Sequence, residues 1–286
     1  MKFGLRYANL GRFTEPEAAI EITQAAEQAG FESIWTIEHV VVPDTYESVY
    51  PYATSGKMTA DNSMPIPDPL VWLTFVAGVT KTIKLATGVL ILPQRNPLVL
   101  AKILASIDHL SGGRMLLGIG VGWLKEEFDA LGVPFADRGA RTDDYVAAMR
   151  ALWTAEGPAS YHGPFVDFER MWCRPRPKGD IPVIVGGQTK LAARRAGRLG
   201  DGYFPARAQP WELIDEMRRA AEAAGRDPDS IEITVSAPDD PAEIAELERR
   251  GVQRVLVPVN GMVGLGTQVS DVDSVLRYGH DVIGGQ

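Results

Sequence analysis

The sequence contains very little cysteine, since Cys173 is the only one among 286 residues. A single thiol cannot form an internal disulfide, so we expect a protein of the reducing cytoplasm. No hydrophobic run reaches the roughly 18 apolar residues that a membrane-spanning helix needs. The first residues run directly into a strand-like segment rather than into a signal peptide. Disulfide-rich secreted proteins and membrane proteins are therefore not expected.

Positive charge and histidine are also scarce. The chain has 29 Lys and Arg against 37 Asp and Glu, which gives a formal net charge of −8. This balance argues against nucleic acid as a partner, so we expect a small-molecule substrate, with neither nucleic acid nor membrane as a partner. The histidines lack metal-ligand spacing, and the serines lack a G-x-S-x-G motif, so metal-dependent and serine hydrolases are disfavoured. The four histidines are His39, His109, His162 and His280.

What the sequence does contain is a regular alternation of β-rich runs and helical patterns, which is typical of a parallel sheet. Eight such units over this length predict an α/β fold of the (β/α)8 TIM-barrel type, in one domain spanning residues 1–286. A doubly wound sheet is the alternative, but the first strand is not followed by a glycine fingerprint. The predicted strands are 2–8, 33–39, 83–91, 114–121, 182–187, 201–206, 231–237 and 253–259.

Two long segments interrupt this alternation. Residues 43–67 follow the second strand and are rich in Tyr and Pro, so we expect a functional loop at the C-terminal face of the barrel, or else a disordered surface excursion. Residues 155–180 precede the fifth strand. We interpret them as an inserted hairpin and connector at the opposite end of the barrel from the site.

Glycines alternate at the end of the fourth strand, in the run Gly118-Ile119-Gly120-Val121-Gly122-Trp123. Such glycines allow a planar ligand to approach the backbone, although they also suit tight packing inside a barrel. The spacing is not the G-x-G-x-x-G of a dinucleotide-binding turn. Gly120, Gly122 and Trp123 are therefore candidate cofactor contacts.

An acid and an imidazole end the second strand, at Glu38 and His39. At this end of a barrel they are suited to proton transfer, or to hydrogen bonds with a heterocycle. Adjacent strand residues face opposite ways, so we do not expect a dyad between them. The alternative is that His39 only packs at the end of the barrel.

Two further strand ends are candidate cofactor contacts. Gly186, Gly187 and Gln188 lead into a helix capped by Thr189, where exposed amides are suited to phosphate. The alternative is a tight turn followed by a solvated basic helix. The third strand ends in Thr87-Gly88-Val89-Leu90, where Gly88 favours a bulge or an unusual backbone conformation.

The order of these stretches along the chain is informative in itself. They are Trp35–His39, Thr87–Val89, Asn96–Pro97, Ser111–Arg114, Gly118–Trp123, Glu126–Phe128, Leu131–Pro134, Arg138, Arg141, Leu152–Trp153, Gly186–Gly187, Ala196–Gly197 and Gly200–Tyr203. Together they resemble the luciferase-like monooxygenase superfamily, and within it the F-420-dependent oxidoreductases.

This resemblance implies a dimeric barrel that binds FMN or the deazaflavin F-420. It implies a cis peptide at Gly88–Val89 behind the deazaflavin, ring contacts from Glu38 and His39, and phosphate contacts from Gly186 and Gly187. Backbone amides around Val89 and Leu90, together with His39, would stabilise the charge that develops on the reduced ring.

The expected reaction is hydride transfer between F-420 and a small substrate, with Glu38 and His39 as catalytic residues. Aromatic side chains are expected to contact the substrate and exclude water: Tyr7, Trp35 and Tyr46, with Trp123. Two residues depart from the family pattern. Trp123 stands where the sugar-phosphate dehydrogenases have a proton-donating Glu, which disfavours that activity, and Glu38 stands where Asp is usual. An FMN-dependent monooxygenase and a non-catalytic flavin-binding protein are the alternatives.

Overall fold

The computed structural model describes residues 1–58, 63–205, 210–259 and 269–284. Eight parallel strands form a closed barrel in the order β1-β2-β3-β5-β8-β9-β10-β11, with β11 pairing back to β1. This confirms the predicted barrel. The strands are β1 (Lys2–Arg6), β2 (Ser33–Thr36), β3 (Lys84–Thr87), β4 (Leu90–Ile91), β5 (Met115–Gly120), β6 (Ala159–His162), β7 (Asp167–Met171), β8 (Val183–Gly186), β9 (Gly202–Phe204), β10 (Glu232–Ser236) and β11 (Arg254–Pro258).

Helices cover the outside of the barrel. Asp68 and Asn96 cap two of them, each accepting hydrogen bonds from two backbone amides and each followed by proline, as the Asp-Pro and Asn-Pro pairs predict. The helices are α1 (Pro16–Gln28), α2 (Pro69–Ala77), α3 (Pro97–Ser111), α4 (Lys125–Ala130), α5 (Arg138–Thr154), α6 (Lys190–Leu199), α7 (Trp211–Ala223), α8 (Ile244–Arg249) and α9 (Val272–Tyr278).

The barrel strands are shorter than predicted at the ends that matter for the site. β1 stops at Arg6 because Tyr7 has a φ of 68°. β2 stops at Thr36 rather than at residue 39, because the Asn9 side chain bonds both backbone polar groups of Ile37, at 2.8 and 2.9 Å. The third predicted strand is divided into β3 and β4 by the Gly88–Val89 peptide.

Alternate strand residues point into the barrel and fill it. A cluster of six buried side chains occupies the interior: Trp35, Ala86, Leu116, Ile184, Phe204 and Leu256. The N-terminal end of the barrel is closed by ion pairs from Arg254 to Glu32 and Glu232. The barrel is therefore a packed core, open to ligands only at the end where the strands finish. We call that end the barrel mouth.

The segment before the fifth barrel strand forms the predicted hairpin, from β6 and β7. Its position is only partly as predicted. The connector after it lies at the N-terminal end of the barrel, where Asp108 accepts hydrogen bonds from the Lys178 and Gly179 amides. The turn of the hairpin instead lies along α5, where Asp144 bonds the Phe165 amide and the Tyr161 hydroxyl. Within the described residues, no helix is long and apolar enough to cross a membrane.

Candidate active site

His39 lies at the barrel mouth, three residues beyond the end of β2. Its Nδ1 is 3.2 Å from the Glu127 carboxylate, which projects from α4. The other Glu127 oxygen accepts hydrogen bonds from the Val40 and Val41 amides, at 2.6 and 3.2 Å. One buried side chain therefore fixes both the His39 ring and the backbone that follows it.

The charge state of Glu127 determines which nitrogen of His39 holds a proton. Burial raises the pKa of the Glu127 carboxyl, but hydrogen bonds from His39 and Val40 outweigh this effect and hold the pKa below its ordinary value. An ionised carboxylate can only accept, so Nδ1 of His39 must donate to it. Nε2 is left to exchange protons with a ligand.

Glu38 points away from His39, as expected from the absence of a dyad. Its carboxylate accepts hydrogen bonds from the Ile91 amide and from the guanidinium of Arg95, and Arg95 also bonds Asp68. Only 5% of Glu38 is exposed. Both oxygens are engaged in holding β4 against the end of β2, so this geometry gives Glu38 a structural role. Its expected contact with reacting atoms stays a prediction.

The peptide between Gly88 and Val89 is cis, which confirms the expectation for the end of the third strand. The Val89 side chain extends across the barrel interior towards β5 and β8. A Cβ atom at Gly120 would lie 2.8 Å from Val89 Cγ2, and one at Gly186 would lie 2.6 Å from Val89 Cγ1. A Cβ atom at Gly122 would collide with Phe128. Packing within the protein therefore needs these glycines, which for Gly120 and Gly122 is the alternative that the sequence left open, and their contact with a cofactor stays a prediction.

Several predicted contact residues are wholly inside the protein, and the structure corrects their interpretation. Trp35 is fully buried below the mouth, with its Nε1 donating to Ser33, so it is not placed to touch a substrate. Thr87 donates to the Gly118 carbonyl, and Leu90 packs in the core; both are fully buried. The side chains of these three residues already contact other parts of the protein. They therefore support the mouth from beneath and do not line it.

Trp123 and the long loop after β2 cover the mouth. The Trp123 ring lies edge-on to His39, Tyr46 and Tyr50, with centroid distances of 6.1, 5.5 and 5.1 Å. Tyr52 packs in turn on Tyr50. This aromatic cover places the loop at the C-terminal face, as predicted. Trp123 and Tyr46 remain partly accessible, which suits the predicted contacts with ligands.

Glu126 attaches this loop to α4. Its carboxylate accepts hydrogen bonds from the Glu47 amide, the Ser48 amide and the Ser48 hydroxyl, at 2.7, 3.0 and 2.6 Å. Glu126 and Glu127 therefore hold two stretches of the same loop. The aromatic cover and the His39 ring are positioned together by one short helix.

The turn after β8 leads directly into a capped helix, as predicted, and its expected binding of phosphate stays a prediction. Gly187 has a φ of 129°, and Thr189 caps α6. The Gln188 Nε2 is buried without a hydrogen-bond partner among the described residues. The basic face of α6, by contrast, is largely neutralised within the protein, since Arg195 and Arg198 both pair with Asp143. Arg194 pairs with Glu216.

Tyr7 and Arg6 complete the mouth at the end of β1. Tyr7 is 6% exposed and Arg6 is 9% exposed, and the Arg6 guanidinium lies 4.3 Å from the centre of the Tyr7 ring. Sequence patterns predict a substrate contact for Tyr7 but no role for Arg6 or Glu127. Glu127 resembles an ordinary acidic residue in the first turn of a helix. Arg6 could have been found, because it stands at an inward-facing position of a strand.

Comparison with known proteins gives consistent matches along most of the chain. The family model described as luciferase-like monooxygenase matches residues 5–252. An uncharacterized protein of Mycobacterium bovis is 36% identical over 90% of this chain and 91% of its own length. An F-420-dependent glucose-6-phosphate dehydrogenase of Kineococcus radiotolerans is 31% identical over 87% of this chain and 72% of its own length.

A solved structure extends the comparison of folds. The coenzyme F-420-dependent tetrahydromethanopterin reductase of Methanopyrus kandleri superposes with a TM-score of 0.72 at 20% identity. The match covers 99% of both chains. At this identity the likeness concerns the fold alone.

Proposed function

The chain belongs to the luciferase-like monooxygenase family, and from that premise we propose that it is an F-420-dependent oxidoreductase acting on a small organic substrate. The observation that carries the proposal is the part-buried His39–Glu127 pair at the barrel mouth, together with the cis Gly88–Val89 peptide that follows β3. The relative from Kineococcus radiotolerans, which uses F-420, supports the choice of cofactor.

The residues at the end of β8 fit a phosphorylated cofactor. Gln188 offers a buried amide donor that has no partner in the part of the chain that the structure describes, and the first amides of α6 point out of the helix beside it. A phosphate at this position would accept hydrogen bonds from both the Gln188 side chain and the first backbone amides of α6. Gly187 belongs to this turn, and Val89 and Trp123 are the partly accessible side chains that would contact the ring system.

When bound, a deazaflavin supplies or accepts a hydride at carbon 5. The chain itself must handle the accompanying proton, and His39 is the group placed for it. Glu127 holds Nδ1, so Nε2 takes the proton from a substrate hydroxyl during oxidation or returns it during reduction. The negative carboxylate also stabilises the ring when both nitrogens are protonated.

The aromatic cover has a separate task, which is to keep water from the mouth. Tyr46 and Tyr50 lie against Trp123, and the Tyr46 hydroxyl accepts a hydrogen bond from the Met58 amide. Burial raises the pKa of Tyr50 to about 12, so its phenol stays neutral. A dry mouth strengthens the interactions of charged and polar groups within it.

An FMN-dependent monooxygenase is the second candidate, and the description of the family model favours it. Both activities need the same barrel and phosphate site, so the cofactor decides between them. The departure at Trp123 argues against a sugar-phosphate substrate of the kind named in the Kineococcus radiotolerans relative.

We also propose that the protein is a homodimer. α2 is apolar around its whole circumference, which is typical of a helix covered on all sides. Its Val71 and Phe75 are nevertheless exposed, as are Val99 and Ile103 on the neighbouring α3. Light scattering should give twice the mass of one chain, and a monomeric mass at micromolar concentration would contradict the proposal.

The proposed activity is tested by turnover. Purified protein is mixed with oxidised F-420 and secondary alcohols, or with reduced F-420 and conjugated enones and aldehydes, and the visible absorbance of the cofactor is followed. We expect turnover with at least one compound, and a loss of about 10²–10⁴-fold in kcat in His39→Ala. An oxygenated product formed from one of these compounds with reduced FMN and O2, without any change in F-420 across the panel, would instead establish the monooxygenase.

A further inference from the structure

Arg6 is a charged residue that the proposed reaction does not use. It is the last residue of β1, two positions after Gly4, whose added Cβ would meet Leu256 and Trp35 inside the barrel. Side chains two apart on a strand share a face, so Arg6 points inward at the mouth. Its guanidinium lies 5.0 Å from the Phe204 ring and 3.3 Å from the Ser236 hydroxyl. Both partners are the last residues of their own strands.

No acidic side chain pairs with Arg6 within the described ranges. Its Nε is buried and has no hydrogen-bond partner among the residues described, and the bond to Ser236 is long. Arg254 provides a direct contrast within the same barrel. Its guanidinium, near the N-terminal end, is bonded to Glu32, Glu232 and Thr234. Among the residues that the structure describes, one interior arginine is therefore neutralised by carboxylates, while the other has two aromatic contacts and one long bond to a hydroxyl.

A buried cation without an anion destabilises the free protein, because solvation is lost and no ion pair replaces it. The rings of Tyr7 and Phe204 offset part of this loss through cation–π attraction. An incoming anion would restore the missing pairing. The guanidinium presents several donors in one plane, and this arrangement matches the two oxygens of a carboxylate.

Arg6 is also connected to the proton-transfer site. β1 and β2 are adjacent, with Arg6 opposite Trp35 in the register, and His39 follows β2. Tyr50 lies between the two regions. It packs on Trp123 beside His39, and the neighbouring Arg6 opposes the rise in its pKa that burial causes. A ligand of modest size could therefore meet Arg6 and His39 at the same time.

We infer that Arg6 binds an oxyanion of the substrate, most simply a carboxylate, so that the substrate is an organic acid reacting close to its charged end. This inference rests on the proposed function and names the substrate class for it. The cofactor's own phosphate is the other possible source of an oxyanion. β8, which leads into the proposed phosphate site, is four strands from β1 in either direction around the barrel. The strands that carry the two anion sites are therefore opposite one another in the barrel, but the Arg6 guanidinium reaches the Phe204 ring on the strand next to β8, so a titration with the cofactor must separate the two sources.

Benzoate and benzamide are the probes, because they share shape and differ in charge. Calorimetric titration of the full chain, with and without F-420, gives an affinity for each. We expect benzoate to bind at least about tenfold more tightly than benzamide. Arg6→Met should remove this preference, and Arg6→Lys should keep part of it because Lys retains the charge but not the planar donors. Arg249→Met, at an exposed position on α8, is the matched control.

Thermal unfolding of the same variants separates binding from structural support. Without ligand, Arg6→Met should unfold at the same temperature as the natural protein or at a higher one, because an unpaired buried charge is removed. Benzoate should raise the unfolding temperature of the natural protein and of Arg249→Met, but not of Arg6→Met. A less stable Arg6→Met that still prefers benzoate would overturn the inference.

Titration of F-420 into each variant identifies the source of the oxyanion. Unchanged cofactor affinity in Arg6→Met, together with the lost preference for benzoate, supports a substrate site. A loss of about tenfold or more in F-420 affinity would assign Arg6 to the cofactor and overturn the inference. Equal binding of benzoate and benzamide by the natural protein would overturn it too, while normal F-420 binding would leave the proposed function intact. Failure to bind F-420 contradicts the proposed function alone.

Discussion

Glu127→Gln changes one charge at the mouth while keeping the shape of the side chain. One oxygen of Glu127 accepts from the Val40 and Val41 amides, so the Gln oxygen must take that position. The Gln NH2 group then occupies the position that faces Nδ1 of His39. Because NH2 only donates, Nδ1 must become an acceptor, and the ring proton moves to Nε2. The substitution therefore reverses the His39 tautomer without deleting any atom of the ring.

The expected size of the effect follows from these contacts. In this variant, a return to the original tautomer would place the Nδ1 proton of His39 against the new NH2 group. Two donors facing each other cost about 1–3 kcal/mol, which lowers the population of that tautomer roughly 5- to 150-fold. Loss of the carboxylate beside a doubly protonated ring adds a factor of similar size. Together we expect kcat to fall by about 10²–10⁴-fold, with F-420 affinity changed by less than about threefold.

Nitrogen NMR of the imidazole rings measures the tautomer directly. The chain has only four histidines, so His39→Ala identifies the signals of His39. At about pH 8.5, well above the ordinary histidine pKa of about 6.5, the natural protein should show a proton on Nδ1 and Glu127→Gln a proton on Nε2. A protonated Nε2 in the natural protein, or an unchanged tautomer with unchanged kcat in the variant, would refute the reasoning.

Two further predictions concern the fold that supports the site. Gly186→Ala should lower the free energy of unfolding by about 1–3 kcal/mol in urea even without cofactor, because its Cβ would lie 2.6 Å from Val89 Cγ1. Gly157→Ala is the control, because nothing lies within 4 Å of its added Cβ. Its free energy of unfolding should stay within about 0.5 kcal/mol of that of the natural protein. Equal losses in the two variants would contradict the packing argument. Burial raises the pKa of Glu27, but backbone hydrogen bonds from Thr82, Ile83 and Lys81 outweigh it and lower the pKa to about 2. Glu27→Gln should therefore lower the free energy of unfolding by about 1 kcal/mol at neutral pH, after solvent screening is allowed for. The difference between the two proteins should fade as pH falls from about 4.5 towards 2. A difference that persists at low pH would rule out the ionised carboxylate as its source.

The sequence was sufficient for the barrel, because its strands and helices differ in period and its helices carry clear caps. The sequence did not predict the residues at which the strands end. β2 stops early because Asn9, a residue 28 positions away, bonds both polar groups of Ile37. β1 stops because Tyr7 adopts a positive φ. The first effect depends on a tertiary contact that has no local pattern, and nothing about a tyrosine in the sequence signals a positive φ.

The sequence predicted only part of the candidate site, because some of its residues meet only through tertiary contacts. His39 could be placed from its position at a strand end, and the cis peptide could be placed from the resemblance to the family. Glu127 is 88 residues from His39 along the chain, so only the folded structure joins them. The glycines at 120 and 186 show a further limit, because packing against the Val89 side chain needs them whether or not they also contact a ligand.

We propose that this barrel uses F-420, and competition between F-420 and FMN for the protein is the sharpest test. Protein purified without added cofactor is titrated with F-420 and with FMN, each alone and each in the presence of the other, and the quenching of cofactor fluorescence is followed. F-420 should bind more tightly and displace FMN. Stoichiometric FMN in the purified protein, which F-420 fails to displace, would contradict it.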